Sequence, residues 1–427
     1  MLILKNIVKE YTAGVATINA LKGINIDFRE NELVAILGPP DCGKTTMLNI
    51  ICGLDRYTSG NLSINGKSTK RFSDRDWDAY RNKSVGLVHP SYNLIPHETV
   101  LANVELTMKL AGVTKFESRE RAIAVLEKFN LCDELNKKPN QMSCGDVKRT
   151  SIARALVNNP DILIADESTG ELDSVTSIKT MEILKEISKD KLVIMVTHNL
   201  ELAEKYSTRI IKLFDGNVID DSNPYHVVVE KPAKQINGKK EKGKKPSMSL
   251  LTALSLSFNR LMTNKEKTFI TSFIGSIGIV GIVLILVLLS DNQHYMMKIR
   301  YKLIAFAASS LVVSFIMIST STYISVFERT KEVGILRSIG ASKKDIFLLF
   351  NAETFIVGFA SDIIGIGVTL LLIMPMNGSI KKIIVASGIF KLPAVGVMVL
   401  VISSMVVSFM AGLVPSIIAA KKASALQ

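Results

Sequence analysis

The sequence predicts two unlike parts: an α/β domain over residues 1–222 and an all-α domain with four membrane-spanning helices over residues 249–427. Three observations carry that prediction. Short apolar strands broken by turn residues fill the first part. One of them, Leu33–Leu37, runs into a glycine-rich loop and then a helix. The second part holds four apolar runs, at about 269–290, 303–327, 354–375 and 394–417, each long enough to cross a bilayer core of about 30 Å as a helix.

The elements of the first part follow in order. Leu2–Tyr11 and Leu21–Phe28 alternate like antiparallel strands on either side of a polar turn. The loop Gly38-Pro39-Pro40-Asp41-Cys42-Gly43-Lys44-Thr45-Thr46 then fits the pattern Gly-x4-Gly-Lys-Thr. In that pattern backbone N–H groups and a helix N-terminus hold phosphates, the lysine reaches the terminal phosphates and the threonine hydroxyl meets magnesium. Lys44 and Thr45 take those two roles, and ATP with Mg2+ is the expected cofactor pair. A helix through Ile50-Ile51 and a strand at Leu62–Ile64 come next, and residues 100–140 read as mainly helical. The run Asp161-Ile162-Leu163-Ile164-Ala165-Asp166-Glu167 is a buried strand whose carboxylates emerge at its C-terminal end, where open α/β sheets bind ligands. Asp166 is placed to hold magnesium and Glu167 to polarise an attacking water, unless the pair is only a solvated turn. A last apolar strand, Leu192–Val196, leads into His198, which is either structural or contacts the γ-phosphate. Tyr11, at the end of the first strand, either stacks on a base or merely packs.

Composition narrows the partners. The net charge is +13, and beside membrane spans a basic balance points to anionic lipid headgroups; no aromatic-plus-basic motif for nucleic acid is present. All four cysteines (Cys42, Cys52, Cys132, Cys144) fall in the first part without metal-ligand spacing, as expected of a reduced cytosolic compartment. The opening Met1-Leu2-Ile3 reads as a strand, with no cleavable signal peptide before it.

Over residues 1 to 222 the ordered motifs resemble those of an ABC-transporter ATPase. They are Tyr11, the loop Gly38–Thr46, Met142-Ser143-Cys144-Gly145-Asp146 before Ile152-Ala153-Arg154-Ala155-Leu156, the Asp166-Glu167 pair, Leu172-Asp173 and His198. Gly170-Glu171-Leu172-Asp173 and Ser91–His97 resemble the lipoprotein-release and macrolide-exporter (MacB-type) branch. The resemblance implies that Tyr11, Gly38, Gly43, Lys44, Thr45, Thr46, Ser143, Gly145 and Asp173 bind nucleotide. Thr45 and Asp166 would then bind the metal, and Glu167 and His198 would act in catalysis. It also implies a homodimer, because each site pairs the phosphate loop of one copy with Ser143 and its neighbours from another.

Residues 223–248, rich in Pro, Gly and Lys, form a linker whose run Gly238–Lys245 cannot bury a core. Leu250–Met262 carries its apolar residues at helical spacing and reads as an interfacial helix. Ten basic residues near the span ends lie on the ATPase side, Arg260, Lys265, Lys267, Arg329 and Arg337 among them. Six lie opposite, which places both termini in the cytoplasm of a multi-pass cell-membrane protein. Phe327–Ala341 between spans two and three resembles the cytoplasmic loop of FtsX-like permeases, which implies that it carries motion between ATPase and membrane helices. Asp362 inside the third span is a functional candidate by its depth, or a residue under no selection.

Several positions depart from the family. Asp41 replaces a loop glycine and sets a carboxylate beside a triphosphate, where one charge pair at about 4 Å is worth about 4 kcal/mol at an effective dielectric near 20. Pro90 stands for a magnesium-touching glutamine, Cys144 for a glycine, Asp146 for a glutamine, and Ser168 for a proline. Only Asp291 to about Lys302 separates the first two spans, where the macrolide-exporter branch has a large extracytoplasmic domain. The expected function is ATP-driven export of an amphipathic compound or peptide, or mechanical work on the membrane, with low ATPase turnover. A nucleotide-gated regulatory scaffold and an inactive copy are the alternatives.

Overall fold

The structure, a computed structural model, describes residues 2–14, 16–166, 174–225, 248–263, 265–290, 297–383 and 394–422. It divides into two units, one of Met1–Met248 together with Gly334–Ser342, the other of Ser249–Val333 and Lys343–Leu426. The nine residues Gly334–Ser342, all but the last within the permease loop read from sequence, thus pack within the first unit.

The strands of the first unit are β1 (Leu2–Ala13), β2 (Ala16–Asp27), β3 (Glu32–Leu37), β4 (Ser59–Ile64), β5 (Lys67–Ser68), β6 (Val85–Val88), β7 (Ile162–Asp166), β8 (Leu192–Val196), β9 (Arg209–Phe214) and β10 (Asn217–Asp221). Its helices are α1 (Lys44–Ile51), α2 (Asp74–Lys83), α3 (Val100–Leu110), α4 (Lys115–Lys128), α5 (Cys144–Leu156), α6 (Ser174–Ile187) and α7 (Leu200–Tyr206). An antiparallel sheet runs β2-β1-β4-β5, and a second sheet runs β10-β9-β3-β8-β7-β6. In the second, β9, β3, β8, β7 and β6 are parallel, and every residue of β3, β7 and β8 is buried. That is why these strands read as unbroken apolar runs: both faces of a parallel sheet are covered. Side chains alternate between the faces, so Val34 and Ile36 join one core with β1, β2 and α1, while Leu33, Ala35 and Leu37 join another with α3, α4 and α5.

At the far edge of the parallel sheet, Arg209 is 1% exposed and pairs with both carboxylate oxygens of Asp221 (2.9 and 2.6 Å), the Asp27 carbonyl (2.8 Å) and Glu32 (3.4 Å). Burial alone would raise the Asp221 carboxyl, but the Arg209 hydrogen bonds and charge outweigh it and hold the group below its ordinary value.

The second unit is helical. It contains α8 (Leu250–Thr263), α9 (Lys265–Ser290), α10 (Met297–Glu328), most of α12 (Lys343–Ile383) and α13 (Ala394–Lys422); α11 (Thr330–Ser338) begins in it. The predicted interfacial segment is α8, and the four predicted spans lie inside α9, α10, α12 and α13. Among the described residues, one stretch, Lys343–Thr369, is long and apolar enough to cross a membrane, while Val312–Glu328 and Ser404–Ala419 are apolar but shorter. Asp362 on α12 is 1% exposed. One turn before it, Gly358 lies against Ser408 of α13, where a Cβ would collide with the serine.

Arg209→Gln leaves the half-buried Asp221 without its cation and Glu32 with Arg29 alone, and should destabilise the first unit by about 3 kcal/mol. The single tryptophan, Trp77, is buried in this unit, so its emission during urea unfolding of the intact chain reads the change. Because the folded value for Asp221 is depressed, its contribution is present above the unfolded value near 3.9 and is lost as pH falls through the folded one. The acid-side loss of stability should therefore flatten in the variant.

Candidate nucleotide-binding site

The register of the parallel sheet builds the site. Ile36 pairs with Val196 and Val196 with Asp166, so the residues after β3, β8 and at the end of β7 emerge in one row at the C-terminal edge. The Thr197 N–H donates to the Ile36 carbonyl (3.3 Å), extending the sheet to the base of the glycine-rich loop. His198 follows, exposed, while Asp166 is 6% exposed.

The loop has little choice of residue at its glycines. A Cβ at Gly38 would run into the Leu213 carbonyl and the Cys42 thiol, and Gly43 holds φ 99° where a Cβ would meet the Ala20 carbonyl. Gly43 is also the N-cap of α1 and provides no side-chain cap, so the first turn of α1 keeps its N–H groups for an outside acceptor. Lys44 is buried, its ammonium donating to the carbonyls of Gly38 (2.8 Å) and Pro39 (2.6 Å) at the centre of the loop. Thr45 is exposed and Thr46 half-buried on the same turn. A backbone cradle, a central cation, a helix N-terminus and a buried carboxylate at the neighbouring strand end fit a magnesium-bound nucleoside triphosphate.

Asp41 takes φ 60°, the left-handed region a glycine would occupy without strain. It keeps the loop path and adds an exposed carboxylate. Tyr11 is held more tightly than its position in sequence suggests. Its hydroxyl donates to Asp55 (2.7 Å), which also receives Lys9 (2.6 Å), and the Lys9 ammonium lies 4.6 Å from the ring centroid. Burial, then the bond to Asp55, pushes the phenol up to about 12. The Lys9–Asp55 support gave no signal in the sequence.

On α5, Ser143 is the N-cap, accepting from the Asp146 N–H (3.2 Å), while its own hydroxyl donates to the Asp146 carboxylate (2.6 Å). Arg149 in turn pairs with Asp146. Where a glutamine is expected, the Asp146 carboxylate is paired with Arg149 and accepts the Ser143 hydroxyl proton. Gly145 is half-buried beside it, and the exposed Cys144 thiol lies 4.0 Å from the Tyr92 hydroxyl. Farther along the helix, Arg154 donates to the carbonyls of Asn93 (2.6 Å) and Tyr92 (3.1 Å), and Ser151 to Tyr92 (3.0 Å). Tyr92 and Asn93 both have positive φ (56° and 45°), so α5 clamps a strained turn just after Pro90. Burial lowers Lys148, on the same helix, to about 8 and Arg154 to about 10. Glu167 and Asp173, two of the expected site residues, lie outside the described residues, as does Ser168.

A further cluster in this unit went unread in sequence. Asp78 of α2 accepts from Arg81 (2.5 Å) and from Arg337 (2.8 Å), and all three are largely buried. Arg337 also donates to the Ala341 carbonyl (2.8 Å), Asn82 donates to Ile339 (3.4 Å), and Gly340, at φ 94°, sits where a Cβ would be 2.7 Å from Asn82.

Fold and site together define a phosphate-loop nucleotide-binding domain with a serine-capped helix at Ser143. Comparison with known proteins agrees. Residues 21–170 match the ABC transporter family model, and residues 304–427 match the FtsX-like permease C-terminal model. An uncharacterised ABC transporter ATP-binding protein of Methanocaldococcus jannaschii, MJ1508, is 44% identical over 220 residues, covering 51% of this chain and 98% of that protein. The macrolide export ATP-binding/permease protein MacB of Acinetobacter baylyi is 36% identical over 306 residues, covering 69% of this chain but only 46% of that protein. The dimeric structure of the cassette MJ0796 aligns with TM-score 0.49 and 40% identity, over 53% of this chain and all of that one. The chain belongs to the ABC transporter family, as a fused ATPase and FtsX-like permease of the MacB type.

Asp41→Gly should tighten ATP binding by about fivefold to tenfold, since an exposed charge is worth about 1 kcal/mol after screening and the left-handed strain is relieved as well. Lys44→Ala should abolish binding. Titration with a fluorescent ATP analogue measures both, and an unchanged affinity in Asp41→Gly would mean that residue 41 is remote from the phosphates.

Proposed function

We propose that the chain is one half of a homodimeric, multi-pass transporter of the cell membrane, with its ATPase in the cytoplasm. ATP binding between two copies drives export of an amphipathic compound or peptide, or mechanical work across the membrane. The observation that carries this reading is the packing of Gly334–Ser342 within the ATPase unit. The same nine residues are joined by chain on both sides to the helical unit, so a movement of α2 reaches α10 and α12 through Arg337–Asp78 and Gly340–Asn82. Homodimerisation is supported by Ser143 and the phosphate loop lying on separate elements of a chain that has one of each. The span of Lys343–Thr369 supports the membrane placement, and α9, α10 and α13 supply the remaining three crossings. With about half the length of MacB aligned, the short connection near 291–302 supports a bare permease core as the working form.

Turnover is low in this account, because Asp146 holds the Ser143 hydroxyl, Asp41 opposes the triphosphate and Pro90 offers no ligand. The same features favour the second reading, a scaffold that signals nucleotide occupancy without transport.

In inverted vesicles the proposal predicts ATP-dependent, Lys44-dependent uptake of a fluorescent amphiphile. In a chain stripped of its native cysteines, ATP should also promote a disulfide joining copies that carry cysteine at 143 and at 46. Uptake without dependence on Lys44, or a monomer at every nucleotide concentration, would contradict it.

Trp77 adjoins Asp78, so its emission should change on adding ATP, and Arg337→Ala should erase that change while nucleotide affinity shifts by less than about twofold. A full response in the variant would rule out Arg337 as the link.

A further inference from the structure

A chain of contacts joins Tyr11, near the end of β1, to the helix that carries the phosphate loop. The Tyr11 hydroxyl donates to Asp55 Oδ2 at 2.7 Å, while Asp55 Oδ1 accepts from the Lys9 ammonium at 2.6 Å and from the Arg56 N–H at 2.6 Å. Both carboxylate oxygens are therefore engaged. Lys9 is 9% exposed, donates also to the Arg56 carbonyl (2.8 Å), and lies over the Tyr11 ring at 4.6 Å from its centroid. The Lys9 and Asp55 side chains are 11% and 12% exposed, so solvent and salt screen this pair far less than a surface pair.

Asp55 is itself fixed by α1. After Ile51 the chain turns back at Gly53, which holds φ 64° and where a Cβ would collide with the Trp77 ring. The N–H groups of Leu54 and Asp55 then donate to the Asn49 carbonyl of α1, at 2.8 and 3.2 Å, which returns Asp55 to the side of the helix. Thr46, in the first turn of that helix, lies close enough to bear on the Tyr11 hydroxyl. One short helix thus begins in the phosphate cradle and carries the support of the ring. Burial, followed by the bond to Asp55, pushes the Tyr11 phenol up to about 12, so it remains a donor to Asp55 at neutral pH.

A tyrosine without such support turns about two side-chain torsions, and a ligand that stacks on it must first order it. Ordering one side chain on binding costs affinity by about threefold to tenfold. Here the fold does that ordering. Lys9 occupies one face of the ring and Tyr11 is only half-buried, so a planar ligand meets the face away from Lys9.

We propose that Asp55 and Lys9 are positioning residues for the base of the bound nucleotide: they hold the Tyr11 ring so that its face away from Lys9 stacks on the base while the phosphates lie in the loop Gly38–Thr46. The proposal rests on the reading of this loop as a nucleotide site. Asp55 and Lys9 act through Tyr11, and the tie from Asp55 to Asn49 fixes the ring relative to the helix that begins at the phosphates. A pair that only pinned β1 to α1 would matter equally to every ligand of the loop. A pair that positions the ring matters only to ligands that carry a base.

The experiment separates these two cases on the full chain in detergent. Magnesium ATP and magnesium tripolyphosphate, which has the phosphates and no base, each compete against a fluorescent ATP analogue whose own affinity is measured for every variant. Tyr11→Phe, which keeps the ring and removes its bond to Asp55, should weaken ATP by about threefold to tenfold and leave tripolyphosphate within about twofold. Asp55→Leu should do the same, and the double variant should be no weaker than the weaker-binding single variant, because both changes release one ring. Lys9→Met should act in the same direction. Tyr11→Ala, which removes the stacking surface, should cost ATP about tenfold or more, again without effect on tripolyphosphate. Lys189→Gln, which breaks the exposed pair with Glu186, should change neither ligand. Trp77 emission reports folding of each variant, and Tyr11→Phe tests the same bond should Asp55→Leu fail to fold. Unchanged ATP affinity in Tyr11→Phe, additive losses in the double variant, or equal losses of ATP and tripolyphosphate in Asp55→Leu would overturn the positioning role. ATP binding that survives Lys44→Ala would overturn the nucleotide reading of the loop instead.

Discussion

Parallel pairing of β3 with β8, and of β8 with β7, aligns Ile36, Val196 and Asp166 across the sheet. The chemistry of the first unit depends on that alignment. Three buried apolar strands end together, so the phosphate loop, His198 and the buried Asp166 carboxylate share one edge without any of them having to find the others. The energy that holds the row comes from the two cores on either face of the sheet, far from the charged groups. The polar residues of the edge can therefore change, as Asp41 has, without loss of the fold.

The three central strands of this framework, β3, β7 and β8, were legible in the sequence, because parallel strands buried on both faces leave continuous apolar runs; β6, β9 and β10 were not read. Leu192–Val196 was read residue for residue, and β7 began one residue late. The first half of β2, from Ala16, was missed because its side chains are exposed and carry no alternation toward a core. The glycine-rich loop identified its own chemistry through spacing. What the local pattern did not disclose was the second partner of each group. Asp146 read as a replacement for a glutamine, yet Ser143 three residues before it and Arg149 three after make a capped, neutralised helix start. That arrangement follows from helical spacing and was readable in principle. The bond from Arg337 to Asp78 spans 259 residues, and no local rule finds it.

The two polar clusters of the first unit differ in what they do. The Arg209 cluster is fully paired at a sheet edge and fixes β9 and β10 against β2 and β3. The Asp78 cluster instead joins α2 to Gly334–Ser342, a segment whose chain neighbours belong to the helical unit. In the helical unit, charged residues gather toward the ends of α9, α10 and α12, and the stretches between them are apolar. That division follows from the cost of carrying charge into hydrocarbon, and it leaves Asp362 as the buried carboxylate on α12 beyond it.

The central claim is that an intact nucleotide framework carries substitutions that suppress turnover. Phosphate release by the purified, vesicle-reconstituted chain tests it most directly, with Lys44→Ala as the blank. The account predicts a rate close to that blank. It further predicts a rise of at least about tenfold when Asp41→Gly, Pro90→Gln, Cys144→Gly and Asp146→Gln are combined, and its loss again on adding Glu167→Gln. Brisk, Lys44-dependent hydrolysis by the unaltered chain would contradict the account.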